Sequence, residues 1–273
     1  MENASRKTRR SRRGCDIHCH FYFTSLYSTS QVGVNGAICP AHRLRTTPFF
    51  SRSDRMGSVQ NSSATSPTDS STNALKYVAI GASDAVGVGT SQPAKEGWVP
   101  KFASLINARQ TLNLGRSGSC LSDAMREQLP KALQQKSDRL VVTIWLAVND
   151  FNQQLLKPSI LSSYRSNLDK MLSQLREKLH PNTRILVGNI PDLAQVSIYA
   201  AFGVPTTLLA AQVKQWNDMI AEIVQAHQCE LVDLYAHWNE LARHPEYISL
   251  DGFHPSAQGY TRLAEIFYQH YAT

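Results

Sequence analysis

From Lys76 to the C-terminus, short runs that are apolar throughout alternate with longer segments whose apolar residues recur at helical spacing. The runs at 77–80, 111–114, 140–146, 184–187 and 230–234 lack the in-and-out alternation of a half-solvated strand. They therefore predict a parallel sheet covered on both faces. Between them, Ile160, Tyr164, Leu168, Leu172, Leu175 and Leu179 recur every three or four residues, as do Leu209, Val213, Trp216, Ile220, Ile223 and His227. Each set predicts a helix packed by one face, with His227 at its core or boundary. Further helices are expected over 98–108, 122–135 and 256–271, the last opened by Pro255 or Ser256. Right-handed crossovers then give an α/β fold, a three-layer α/β/α sandwich on a five-stranded parallel sheet, which holds ligands at the carboxyl ends of its strands.

The chain before this pattern differs in kind. Residues 1–73 hold ten Lys and Arg against four Asp and Glu, whereas the remaining 200 residues hold 18 against 17. The formal charge of +7 thus belongs mostly to the N-terminal segment, and the basic balance does not call for a nucleic-acid partner. That segment shows no sustained periodicity and ends in a Ser/Thr/Asn/Pro-rich stretch over 58–73. It is expected to be a disordered tail, leaving 74–273 as the folded domain. Arg9, Arg10, Arg12 and Arg13 read as a solvated charge run, because no apolar stretch follows as export would need. Cys15, His18, Cys19 and His20 have no second pair at finger spacing, so no metal site is expected there. A further expectation is that the tail is not translated and that Met56 is the real start.

No run approaches the roughly 20 apolar residues that span a bilayer, so no integral membrane segment is expected and the cytoplasm is the default location. Only Cys120 and Cys229 lie in the domain, which makes no disulfide framework and suits a reducing compartment.

The turns after the strands carry the chemistry. After the first comes Gly81-Ala82-Ser83, then Gly87-Val88-Gly89; glycines permit a tight turn that presents Ser83 at the sheet edge. A dinucleotide loop would need glycine at position 92, where Gln92 stands. The second strand is followed by a turn ending in Gly118, and the third by Ala147-Val148-Asn149-Asp150. Backbone N–H groups and an amide from three strand ends suit an oxyanion hole. Near the C-terminus, Asp251 stands three residues before His254 on a loop stiffened by Pro255, so the carboxylate is placed to hold the imidazole while it deprotonates a serine. Taken alone, an Asp-x-x-His pair is an ordinary helix-start turn. Asp150 is the neighbour most easily mistaken for a catalytic acid, and Asp233 is the runner-up carboxylate, although a strand-end aspartate is more often structural.

In this order the four blocks resemble the SGNH hydrolases, the GDSL-type esterases and lipases, over roughly residues 75–271. The resemblance implies a flavodoxin-like strand order 2-1-3-4-5, Ser83 as nucleophile with Asp251 and His254 completing a triad, and an oxyanion hole of Ser83, Gly118 and Asn149. It implies no cofactor and a small-molecule acyl ester as substrate, such as a lipid or lysophospholipid. A carbohydrate O-acetylesterase and a non-catalytic binding domain on the same fold are the alternatives. Two positions depart from the family pattern: Ala82 replaces its aspartate and Ala147 its glycine. The apolar connection over 191–205 is expected to line an acyl pocket, to form a lid, or to be a short buried helix that closes the core.

Overall fold

The structure, a computed structural model, describes residues 74–154 and 157–273. The expectations for residues 1–73, including the charge run, the Cys15 to His20 cluster and Met56, lie outside the described residues.

In chain order the elements are β1 (Lys76–Gly81), α1 (Ser83–Val86), α2 (Pro93–Glu96), α3 (Trp98–Leu105), β2 (Gln110–Asn113), α4 (Leu121–Glu127), α5 (Leu129–Ala132) and β3 (Leu140–Trp145). Then follow α6 (Val148–Gln154), α7 (Ile160–Lys178), β4 (Arg184–Gly188), α8 (Ser197–Ala201), α9 (Thr206–Ala226), β5 (Glu230–Val232), α10 (Leu234–His237) and α11 (Ala257–Ala272). The strands form one sheet in the order β2-β1-β3-β4-β5. All four pairings are parallel, with Tyr77 beside Val141 and Val142 beside Ile185 in register. This is the flavodoxin-like order expected from the resemblance.

Burial follows position in the sheet. The central strand β3 is buried at every residue, and β1 and β4 are buried except at their first. The prediction of two covered faces fails at the sheet's edges. β2 is exposed at Gln110, Thr111 and Asn113, and β5 is fully buried only at Val232. An edge strand has a neighbour on one side only, and polar side chains there discourage pairing with other chains.

The helix expected over 122–135 is two helices, α4 and α5. Pro130 explains the break, since it lacks an N–H and its ring would collide with the carbonyl one turn back. The two long helices match their spacing. Leu168, Leu172 and Leu175 of α7 and Val213, Trp216 and Ile220 of α9 are fully buried. His227 ends the α9 stripe, and its Nε2 meets Asp169 Oδ1 of α7 at 2.8 Å, a boundary histidine as expected. Among the described residues no helix is long and apolar enough to cross a membrane.

Candidate active site

β1 delivers the chain to Gly81, and two residues later Ser83 opens α1. A side chain at Gly81 would meet the Ala85 Cβ at 2.6 Å, so the close fold-back of α1 onto the strand end requires glycine. The Gly81 peptide is also gripped from the side by Gln128. Its Oε1 accepts the Gly81 N–H and its Nε2 donates to the Gly81 carbonyl, both at 3.0 Å. Gly87 (φ 90°) closes α1 in the left-handed conformation.

The loop beyond meets the C-terminal part of the chain. At Gly89 (φ 98°) an added Cβ would stand 2.6 Å from the Pro255 carbonyl and 3.1 Å from the His254 Cβ. Tyr260 Oη of α11 donates to the Val88 carbonyl at 2.7 Å. The glycines after Ser83 are thus committed to packing rather than to a phosphate cradle.

The facing loop is closed by its own backbone. Ile248 and Pro255 form an antiparallel bridge, and the Ser249 N–H donates to the His254 carbonyl at 2.8 Å. Inside it, Asp251 Oδ1 accepts the N–H groups of Phe253 and His254, each at 2.8 Å. Asp251 Oδ2 lies 2.6 Å from His254 Nδ1, and His254 Nε2 lies 2.9 Å from Ser83 Oγ. A carboxylate only accepts, so the imidazole proton sits on Nδ1 and the Nε2 lone pair faces the hydroxyl. Ser83 is buried, and only 14% of the His254 side chain and 16% of the Asp251 side chain is exposed.

The charges match this arrangement. Burial alone would hold His254 below the ordinary histidine value, but its hydrogen bond to Asp251 and the negative charges of Asp84 and Asp251 outweigh it, so its pKa is raised. Burial alone would raise Asp251, but the hydrogen bonds from His254 and from the N–H groups of Phe253 and His254 hold it well below the ordinary carboxylate range.

Of the oxyanion candidates, the Ser83 N–H begins a helix and has no partner within it. Asn149, in the first turn of α6, donates through Nδ2 to the Ser119 carbonyl at 2.8 Å. This ties it to the turn that holds Gly118, where φ is 76° and nothing crowds an added Cβ within 4 Å. A crevice beside Ser83, about 220 Å³ with its open mouth included, is lined by Ala82, Asp84, Ala147 and Asn149, among others. Both departures from the family pattern therefore face it, while Gly118 is not among its lining residues.

Asp150 and Asp233 serve the scaffold. The buried Asp150 accepts the Leu121 N–H at 2.8 Å at the start of α4, and burial pushes its carboxyl up to about 7. Asp233 caps α10, accepting from Ala236 N at 3.1 Å and Asn189 Nδ2 at 2.8 Å. The connection over 191–205 holds the short helix α8, buried at one residue, Tyr199, and a stretch in which Leu193 and Val196 line a second crevice of about 370 Å³ that includes its open mouth.

Two residues of the site escape a reading by motif. Gln128 stands on the apolar stripe of Leu121 and Ala124, and that misplaced polarity is the signal that would have found it. Asp84 follows Ser83 directly and lines both crevices.

A five-stranded α/β/α sandwich with serine, histidine and aspartate meeting beyond the sheet's carboxyl edge defines a hydrolase of the flavodoxin-like class. Residues 79–262 match the GDSL-like Lipase/Acylhydrolase family, and the chain belongs to that family of carboxylic ester hydrolases. It is 29% identical over 212 residues to the spore germination lipase LipC of Bacillus licheniformis, covering 70% of this chain and 93% of that one. Among solved structures, the lipase Lip_vut3 from a goat rumen metagenome superposes with a TM-score of 0.56 at 21% identity, covering 72% of this chain and 97% of the other. A catalytic variant of Axe2, an acetylxylan esterase from Geobacillus stearothermophilus, does so with a TM-score of 0.57 at 19% identity, covering 73% and 94%.

Proposed function

We propose that this hydrolase cleaves acyl esters through a covalent intermediate on Ser83. The observation that carries the reading is the continuous relay from Asp251 Oδ2 through the imidazole of His254 to Ser83 Oγ, at 2.6 and 2.9 Å. As Oγ attacks the ester carbonyl, its proton passes to His254 Nε2, and Asp251 stabilises the imidazolium. The carbonyl oxygen becomes an oxyanion held by the N–H groups of Ser83 and Gly118 and by the Asn149 amide, one of whose two hydrogens is committed to Ser119. On collapse the alcohol leaves with the proton from Nε2. Water then attacks the acyl-enzyme with the same base, releasing the acid and restoring Ser83.

The mostly apolar second crevice, walled by Leu193, Val196 and Trp238, supports an acyl group longer than acetyl, in keeping with lipid or lysophospholipid esters. A carbohydrate O-acetylesterase is the other reading, in line with the name of the superposed acetylxylan esterase. Ser83→Ala should abolish p-nitrophenyl ester hydrolysis and labelling by a fluorophosphonate probe. Wild-type activity in that variant removes Ser83 as nucleophile. Activity on a series of acyl chain lengths separates the readings: a rise beyond acetyl supports the acyl-ester enzyme, and activity confined to acetyl esters supports the deacetylase.

A further inference from the structure

Asp84 has no part in the relay, yet it occupies the wall shared by the two crevices beside Ser83. The larger crevice is otherwise apolar, formed by Trp145, Leu193, Val196, Trp238, Phe253 and Pro255 among others. Phe253 and Pro255 flank His254, so the crevice adjoins the reacting atoms. Among the described residues Asp84 is its only charged lining residue. The residue is half-buried. Its carboxyl takes the N–H of its own residue and, among the described residues, no hydrogen bond from any other.

A carboxyl group in such a crevice opposes an unbranched alkyl chain. Laying methylene groups over it would strip its water and offer no donor in return, which costs free energy whether the group is charged or neutral. A hydroxyl inserted at the same place supplies that donor and exchanges its bond to water for one to the carboxyl. The remaining titratable groups that face Asp84 are His254 and Asp251 on the C-terminal loop, Tyr199 on α8 and Tyr260 on α11. Tyr199 is engaged with Asn152 and Tyr260 with Val88, so neither hydroxyl is spent on Asp84. Burial raises the Asp84 carboxyl above its ordinary value, opposed by His254, as expected for an under-paired acid in this setting.

Building on the ester-hydrolase reading above, we propose that Asp84 is a specificity-determining residue that selects esters bearing a hydroxyl donor close to the scissile bond. The hydroxyl belongs either to the acyl group, as in a 3-hydroxyacyl ester, or to the alcohol, as in a glycerol ester. The common chemistry is one O–H donated to the Asp84 carboxyl from within an otherwise apolar slot.

The test measures kcat/KM for two matched pairs. The first is ethyl 3-hydroxybutyrate against ethyl butyrate, and the second is glyceryl monobutyrate against ethyl butyrate. A hydrogen bond to a charged group predicts a preference of about tenfold or more for the hydroxylated member. Preference in the first pair places the hydroxyl on the acyl side, and preference in the second places it on the alcohol side. Asp84→Leu should erase that preference by lowering turnover of the hydroxylated ester and raising that of ethyl butyrate. Asp84→Asn, nearly isosteric and still able to accept, should retain part of it and guards against a folding defect in the leucine variant. Hydrolysis of ethyl butyrate with no preference in either pair, or a preference that survives in Asp84→Leu, overturns the role of Asp84 and leaves the hydrolase reading standing. No turnover of any ester overturns both.

Discussion

The side-chain amide of Gln128 pairs with both backbone groups of Gly81, its Oε1 with the N–H and its Nε2 with the carbonyl, across 47 positions of sequence. Gln128 is itself 97% buried, with 3% of its surface exposed, and its Nε2 also lies 3.5 Å from Ser119 Oγ. One side chain therefore joins the strand end two residues before Ser83 to the turn that carries Gly118. Replacing it with leucine should strand the buried Gly81 N–H, at a cost of about 1–3 kcal/mol. Urea denaturation should register that loss, and kcat should fall with it because the backbone leading to Ser83 loses its clamp. Unchanged stability in Gln128→Leu would show that water or a shifted backbone satisfies Gly81.

Asn149 is half-exposed and, among the described residues, its side-chain amide makes one hydrogen bond, to the Ser119 carbonyl. Its removal should barely affect folding. In the proposed mechanism it supplies a donor to the oxyanion, and loss of one such donor costs about 10²–10³ in turnover. Asn149→Ala should show that drop in kcat with thermal unfolding nearly unaltered. A kcat within threefold of wild type, roughly speaking, would remove Asn149 from the oxyanion hole.

In the proposed mechanism the raised pKa of His254 should set the acid limit of activity. The imidazole must be neutral to accept the serine proton, so kcat/KM should fall as pH drops through a value above the 6.5 of an ordinary histidine. Asp251→Asn removes both the charge and the strong hydrogen bond, so the limb should move to lower pH while the maximal rate falls. The same pair carries stability of opposite pH dependence. The depressed Asp251 contributes above the ordinary carboxylate range and loses its contribution as pH falls toward its folded pKa. The raised His254 contributes below the ordinary histidine value and loses its contribution as pH rises through its folded pKa. An acid limb unmoved in Asp251→Asn would separate His254 titration from catalysis.

Asp150 makes a distinct prediction about folding. Burial raises its carboxyl to about 7 in the folded chain, against 3.8 for an ordinary aspartate. The folded state thus keeps a proton that the unfolded chain gives up, and the associated stability, complete below the ordinary value, is lost as pH rises through about 7. Asp150→Asn keeps an acceptor for the Leu121 N–H without the ionisation. Its melting temperature relative to wild type should rise between pH 5 and pH 8. A difference that does not change with pH would mean that Asp150 is ionised throughout.

The strands themselves and the two long helices were legible because apolar runs and apolar stripes report burial directly, whereas the strand order came from the family resemblance. Leu168 with Leu172 and Val213 with Ile220 behave as their spacing requires. The exposed β2 was not legible in the same way, because Leu112 and Leu114 look like core residues until the sheet order makes their strand an edge. The break between α4 and α5 was available locally in Pro130, whose effect on the preceding turn outweighs an otherwise helical pattern.

By itself the sequence determined where the strands and the two long helices lie, where glycine permits sharp turns, and the four blocks by which the chain is recognised as a GDSL-type hydrolase. Only the tertiary structure decided which of those groups meet. Ser83 and His254 stand 171 positions apart and come within 2.9 Å because crossovers deliver the strand ends to one edge and Gly89 lets the two loops touch. Gln128 and Asp84 belong to the site for the same reason: hydrogen bonds and crevices are formed between distant segments, whereas periodicity reports only on the segment that carries it.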